Sequence, residues 1–168
     1  MDAWTDVLEG LSSMPDELTR ALHALPAGLL RWRPESWGGS PGESFSALEH
    51  ACHLRDIETE GYQVRIRRLL DEHEPSLVSL DGYALAVEKR YGEETLDGAL
   101  RAFRAARAET LARLRGLDGE ALARGGTFAE YGRLSLRALV HYLRSHDQQH
   151  LACLQWLAGK MAADGAAA

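Results

Sequence analysis

Two cysteines in 168 residues leave no material for a disulfide scaffold or a cysteine-based zinc site. Cys52 and Cys153 both sit in apolar helical contexts and read as small buried thiols. Isoleucine (two) and valine (five) are scarce beside leucine, alanine, arginine and glutamate, which argues against a sheet-dominated fold and predicts an all-α chain. No apolar run approaches the length of a membrane span. The start MDAWTDVLEGL carries acidic residues where a signal peptide has a basic segment followed by an apolar one, so the expected location is the cytoplasm and no membrane partner is expected. A dense basic tract is also missing, and the formal net charge is −6. No nucleic-acid partner is therefore expected, because backbone binding rests on clustered cations.

What is present is helical periodicity. One domain is expected over 1–163, with 164–168 as a disordered tail. Val7, Leu8, Leu11, Leu18, Leu22 and Leu25 recur at helical spacing, with a turn signal around Pro15 that predicts one kinked helix or two short ones. Pro26, Pro34, Pro41 and several glycines then mark a long loop, a candidate rim for a site. A second helix is expected from about Ser46 to Leu70, capped by Ser44 or Ser46. Its inward stripe is His50, His53, Leu54, Ile57, Gly61 and Val64, with Glu49, Arg55, Arg65 and Arg67 outside. A short helical stretch near 83–91 precedes a helix capped by Thr95 and carrying Leu100, Phe103, Leu111 and Leu114. GGTFAEYGRLS lacks helical periodicity and is expected to be an ordered loop before a last helix, capped by Ser135 and running to about Met161.

Seven histidines remain to be placed. His146 and His150 are one helical turn apart and extend the apolar stripe of Leu139, Leu143, Leu154 and Leu157, so both imidazoles point inward and can grip one ion. The pair closes half a coordination sphere. On the second helix His50 and His53 both lie in the inward arc, and periodicity does not choose between them as the third ligand. A polar network using Asp56, Asp147 or Gln149 is the competing use of the same buried nitrogens. His23, His73 and His141 lack this geometry and belong at the surface.

The runs ALEHACHLRDIETEGYQVRIRRLL and HYLRSHDQQHLACLQWL, with LRWRPESW before them, resemble the DinB/YfiT-like superfamily over most of the chain. The resemblance implies a four-helix bundle with long connecting loops. It also implies a three-histidine site: a His-Leu pair on the second helix matches His53, and an H-x-x-x-H on the last helix matches His146 and His150. His50 is then a neighbour or an alternative ligand.

Three imidazoles leave one position open, the arrangement of catalytic rather than structural zinc sites. All-imidazole ligation suits one divalent transition metal, zinc or nickel first. The resemblance implies a transferase that activates a low-molecular-weight thiol cosubstrate, such as bacillithiol, mycothiol or glutathione, against a small electrophile. The alternatives are a hydrolase of a small ester or amide through metal-bound water, and a non-catalytic metal-binding or interaction module, with a homodimer as a further expectation. Asp56, Glu58, Tyr62 and Asp147 are the candidate bases or partners of the histidines, and Arg55, Trp32, Trp37 and Tyr131 the candidate mouth.

Overall fold

The computed structural model describes residues 3–129 and 131–166. Helix α1 spans Ala3–His23 without interruption, and Val7, Leu11, Met14, Leu18 and Leu22 bury one face of it. Pro15 lies inside this helix, so of the two expected forms it is a single helix and not two short ones. Its cost is met elsewhere: a proline donates no N–H to the carbonyl four residues back. The freed Leu11 carbonyl accepts instead from Arg107 Nη1 at 3.2 Å.

The second long element is a rod of three segments: α2 (Ala47–Asp56), a π-helical segment (Ile57–Tyr62) and α3 (Gln63–Asp71). Ser46 and Glu49 close a capping box at its start, with Ser46 N donating to Glu49 Oε2 at 2.7 Å and Glu49 N to Ser46 Oγ at 3.4 Å. The π segment adds a residue to the turn. Downstream the register slips by one: Val64, expected inward, is only half-buried, while Arg65, expected outward, is buried and donates Nε and Nη2 to the Val78 carbonyl at 3.1 and 2.9 Å. The slip also turns Glu58 and Tyr62 into the interior.

After the short helix α4 (Gly82–Glu88) comes α5 (Leu96–Leu114), capped by Thr95, which accepts from Gly98 N at 3.3 Å. A five-residue helix α6 (Gly119–Ala123) follows, and α7 (Leu136–Ala163) is capped by Ser135. The expected loop at 125–135 is a hairpin: β2 (Gly125–Phe128) pairs antiparallel with β3 (Gly132–Ser135) and parallel with β1 (Ser76–Leu77). Strands of two to four residues are too short to leave a period-two signature, and Gly132, at φ +71°, supplies the left-handed residue at the start of β3.

The four long elements pack as a bundle, α1 against α5 and α7 and α2 against α5 and α7. Its interior has two apolar clusters, one around Leu11, Ile66, Leu139 and Leu143, the other around Met14, Leu48, Phe103 and Leu157. The polar residues fall between them. On α5 it is Arg107, between Phe103 and Leu111, and on α7 it is His146, Asp147 and His150, between Leu143 and Leu154. Asp164–Ala166 form a turn, with Ala166 N donating to Met161 O at 3.0 Å; residues 167 and 168, the rest of the expected tail, lie outside the described residues. Among the described residues no helix is long and apolar enough to cross a membrane.

Candidate metal centre

The polar belt ends in a histidine cluster. His53 projects from α2, and His146 and His150 from successive turns of α7. His150 Nε2 lies 3.1 Å from His146 Nε2, and His53 Nε2 lies 3.4 Å from the same atom. Two imidazole nitrogens can share one proton. His146 Nε2, facing two others, can donate to or accept from only one of them, so protons alone do not satisfy the three. A divalent ion does: with metal–nitrogen bonds of about 2.0–2.1 Å, neighbouring ligands of a four-coordinate ion stand about 3.4 Å apart. The observed spacings fit this.

The imidazoles are neutral where a ligand must be. Burial lowers His53 to about 4, with Asp56 opposing in part. Burial, reinforced by the charges of His53, Arg107 and Arg65, lowers His146 to about 3. Burial, with His146, His50 and His53 adding to it, holds His150 well below the ordinary range. If their Nε2 lone pairs converge, each proton sits on Nδ1. His150 Nδ1 then donates to His50 Nδ1 at 2.7 Å. That contact separates the two histidines of α2. His53 joins the cluster, whereas His50 is fully buried behind His150 and faces its Nδ1. The outer nitrogens of His53 and His146 have no hydrogen-bond partner among the described residues.

A fourth ligand-type group, Glu43, was not foreseen. A carboxylate oxygen of Glu43 and one ring nitrogen from each of the three histidines lie within 4.8 Å of one another, and Oε2 is 3.9 Å from His150 Nε2. It sits in the loop ahead of α2, where helical periodicity carries no information. The position expected to be open thus has a carboxylate beside it.

A cleft of about 260 Å³ reaches the cluster, walled by Tyr62, Tyr83, Phe128 and Tyr131 and exposing His53 and His146 at its floor. Gly82, at the start of α4, forms part of the wall. A Cβ there would stand 2.6 Å from His53 Cε1 and 2.9 Å from Nδ1, closer than packing allows. Gly82→Ala should tilt the His53 ring and weaken metal retention by about tenfold or more, the scale of losing a group that orients a ligand. Chelator competition with circular dichroism as control measures this. Unchanged affinity would mean that α4 yields instead of the ring.

Of the other residues singled out from the sequence, Tyr62 and Tyr131 line this cleft. Arg55 does not. It forks onto Asp56 (2.8 and 2.9 Å) and reaches Glu94 at 3.3 Å. Trp37 stacks on Trp156 at 5.7 Å, and Trp32 packs against the second apolar cluster, so both hold the loop to the bundle instead of forming the mouth. Among the described residues, Asp56, Glu58 and Asp147 make no hydrogen bond to a histidine. Glu58 and Asp147 each take two bonds from Arg107, at 2.9 and 2.9 Å and at 2.6 and 2.8 Å. All three are fully buried. Burial lifts Asp147 to about 6 against the pull of Arg107. Burial alone would lower Arg107, but the two carboxylates outweigh it and hold the guanidinium well above its ordinary value. Neither carboxylate is offered to the cleft. His23, His73 and His141 are exposed, as expected.

The DinB superfamily profile matches residues 11–154. Comparison with curated proteins finds no significant match. Among solved structures, YfiT from Bacillus subtilis, described as a probable metal-dependent hydrolase with an unusual four-helix bundle topology, superposes with a TM-score of 0.80 at 22% identity, over 96% of this chain and 90% of that one. At that identity the likeness establishes the bundle topology.

Proposed function

The chain belongs to the DinB superfamily, and from that premise we propose that it is a metal-dependent enzyme acting on a small molecule in the Tyr62–Tyr131 cleft. One observation carries the reading: three neutral imidazoles, those of His53 and His150 buried and that of His146 half-buried, bring their Nε2 atoms together where His53 and His146 line an accessible cleft. In this reading His53, His146 and His150 hold one divalent ion, zinc or nickel by donor type, and His50 fixes the ring of His150. The bound ion supplies Lewis acidity and brings water into ionisation range near neutral pH. The tyrosines and Phe128 contribute apolar walls, and the volume of about 260 Å³ suits a small substrate.

Hydrolysis of a small ester or amide is the reaction we assign first. The donor set supports it, and YfiT, whose bundle this chain shares, is described as a probable metal-dependent hydrolase. Thiol transfer is the second reading. The cleft is lined by the half-exposed Tyr83 and Tyr131 as well as by His53 and His146, so it has room for the thiol end of a small cosubstrate beside the histidines. The test is turnover by zinc- and nickel-loaded protein of chromogenic esters and amides and of small electrophiles, with and without bacillithiol, mycothiol or glutathione. Metal-dependent hydrolysis without thiol supports the first reading. Turnover only with a thiol replaces it by the second. Tight metal binding with neither activity would leave a metal-binding module.

A further inference from the structure

Resting on the metal-centre reading above, we infer that Glu43 is a fourth, exchangeable metal ligand, delivered by the loop ahead of α2, at the one position where substrate reaches the ion. Glu43 Oε2 is buried and has no hydrogen-bond partner among the described residues. A carboxylate oxygen without a partner is costly to bury. What it faces makes the cost larger: His150 Nε2 is 3.9 Å away and a ring nitrogen of each of His53 and His146 is within 4.8 Å, and in the tautomer with protons on Nδ1 the Nε2 atoms offer lone pairs of their own. Four electron-rich atoms turned on one point repel one another unless a cation lies among them, and then each becomes a ligand.

The loop is fastened so as to aim this side chain. Gln149 Nε2 donates to Pro41 O at 3.2 Å on one side of Glu43, and Ser44 N bonds the Tyr83 hydroxyl at 2.8 Å on the other. Between them Gly42 runs against α7, where a Cβ would lie 2.9 Å from both Cys153 Sγ and Gln149 Nε2. The capping box at Ser46 and Glu49 fixes the chain where it enters α2.

The four ligands differ in how they are held. The histidines are locked into helices, and His50 braces His150. Glu43 hangs from a loop, its side chain is 28% exposed, and it is itself part of the cleft wall beside His53 and His146. The carboxylate is therefore the ligand that gives way to water or substrate, and it remains next to the vacated position after it does. The resting centre is closed like a structural site and becomes open by exchange at one ligand.

Cobalt(II) loading of the full chain tests this with a readout independent of turnover. The wild type, Glu43→Gln and Glu43→Asp are compared by visible ligand-field spectrum, by chelator competition and by azide titration. Glu43→Gln is expected to alter the spectrum, to bind cobalt about tenfold or more weakly and to bind azide more tightly. Glu43→Asp, a methylene shorter, should fall between. Identical spectra, cobalt affinities and azide affinities in all three would overturn the inference while leaving the three-histidine site standing. Full cobalt retention by His53→Ala, His146→Ala and His150→Ala would instead overturn the metal-centre reading, and this inference with it.

Discussion

Replacing Arg107 with methionine is expected to destabilise the protein by about 3–5 kcal/mol, the scale of breaking a buried ion pair from one side. Arg107 makes five hydrogen bonds at the centre of the bundle, to Glu58 of the π segment, Asp147 of α7 and the Leu11 carbonyl of α1. Methionine fills the same channel but leaves two carboxylates and a carbonyl facing each other without a donor. A chain of this size should then melt about 10 °C lower or more, and denaturant midpoints should fall correspondingly. Arg107→Lys keeps the charge but not the planar fork that serves both acids at once, and should recover only part of the loss. Substituting Pro15 with alanine restores a helical N–H to the Leu11 carbonyl, whose two lone pairs can accept it and Arg107 together, and should stabilise the protein by about 1 kcal/mol. A loss below about 1 kcal/mol for Arg107→Met would show that the triad contributes little to stability.

None of that triad was legible as such in the sequence, for a definite reason. Glu58 and Asp147 stood out as acids near histidines, but their partner lies on α5, 49 and 40 residues away, in a helix whose apolar pattern alone marks it. An arginine in an amphipathic helix is ordinarily solvated, so composition carries no sign that this one is fully buried. The π segment was hidden for a related reason. A strict 3.6-residue period over 46–70 places Val64 inside and Arg65 outside, and only the added residue at Ile57–Tyr62 reverses them.

The helices themselves were legible because their signals are local. Ser46, Thr95 and Ser135 cap the helices expected of them, and the inward stripes of α1 and α7 are continuous in the chain. The site was half legible by the same logic. His146 and His150 share a helix, so their common direction follows from spacing four. Placing His53 and not His50 in the cluster required knowing the rotation of α2 against α7, a tertiary quantity that periodicity did not carry. Glu43 was out of reach altogether. A loop residue has no periodicity to place it, and what aims it is contact with Gln149 and Tyr83 from distant parts of the chain.

Alanine at His150 should remove most of the metal retention, and with it the largest ligand-dependent stabilisation this protein can show. His150 stands at the crossing of the cluster: Nε2 faces His146 at 3.1 Å and the Glu43 carboxylate at 3.9 Å, while Nδ1 meets His50 at 2.7 Å. Its loss removes one ligand and strips the others of their neighbour. An ion that binds only the folded chain stabilises it by about 4 kcal/mol at a thousandfold excess over its dissociation constant, which in this chain is a rise of about 10 °C in melting temperature. The wild type should show that rise with zinc or nickel and hold about one ion per chain after gel filtration, the single ion that its three converging nitrogens can ligate. His53→Ala, His146→Ala and His150→Ala should each lose most of the bound metal and of the metal-induced rise, because the two imidazoles left hold the ion with only the exchangeable Glu43 carboxylate beside them. His50→Ala is the informative contrast. It keeps every proposed ligand and removes only the acceptor for His150 Nδ1, so metal should remain bound but about 10–100-fold more weakly. Metal content by elemental analysis and calorimetric melts with and without added ion decide the matter. Stoichiometric metal and an undiminished rise in all three ligand variants would place the ion elsewhere, and the converging nitrogens would then need another explanation.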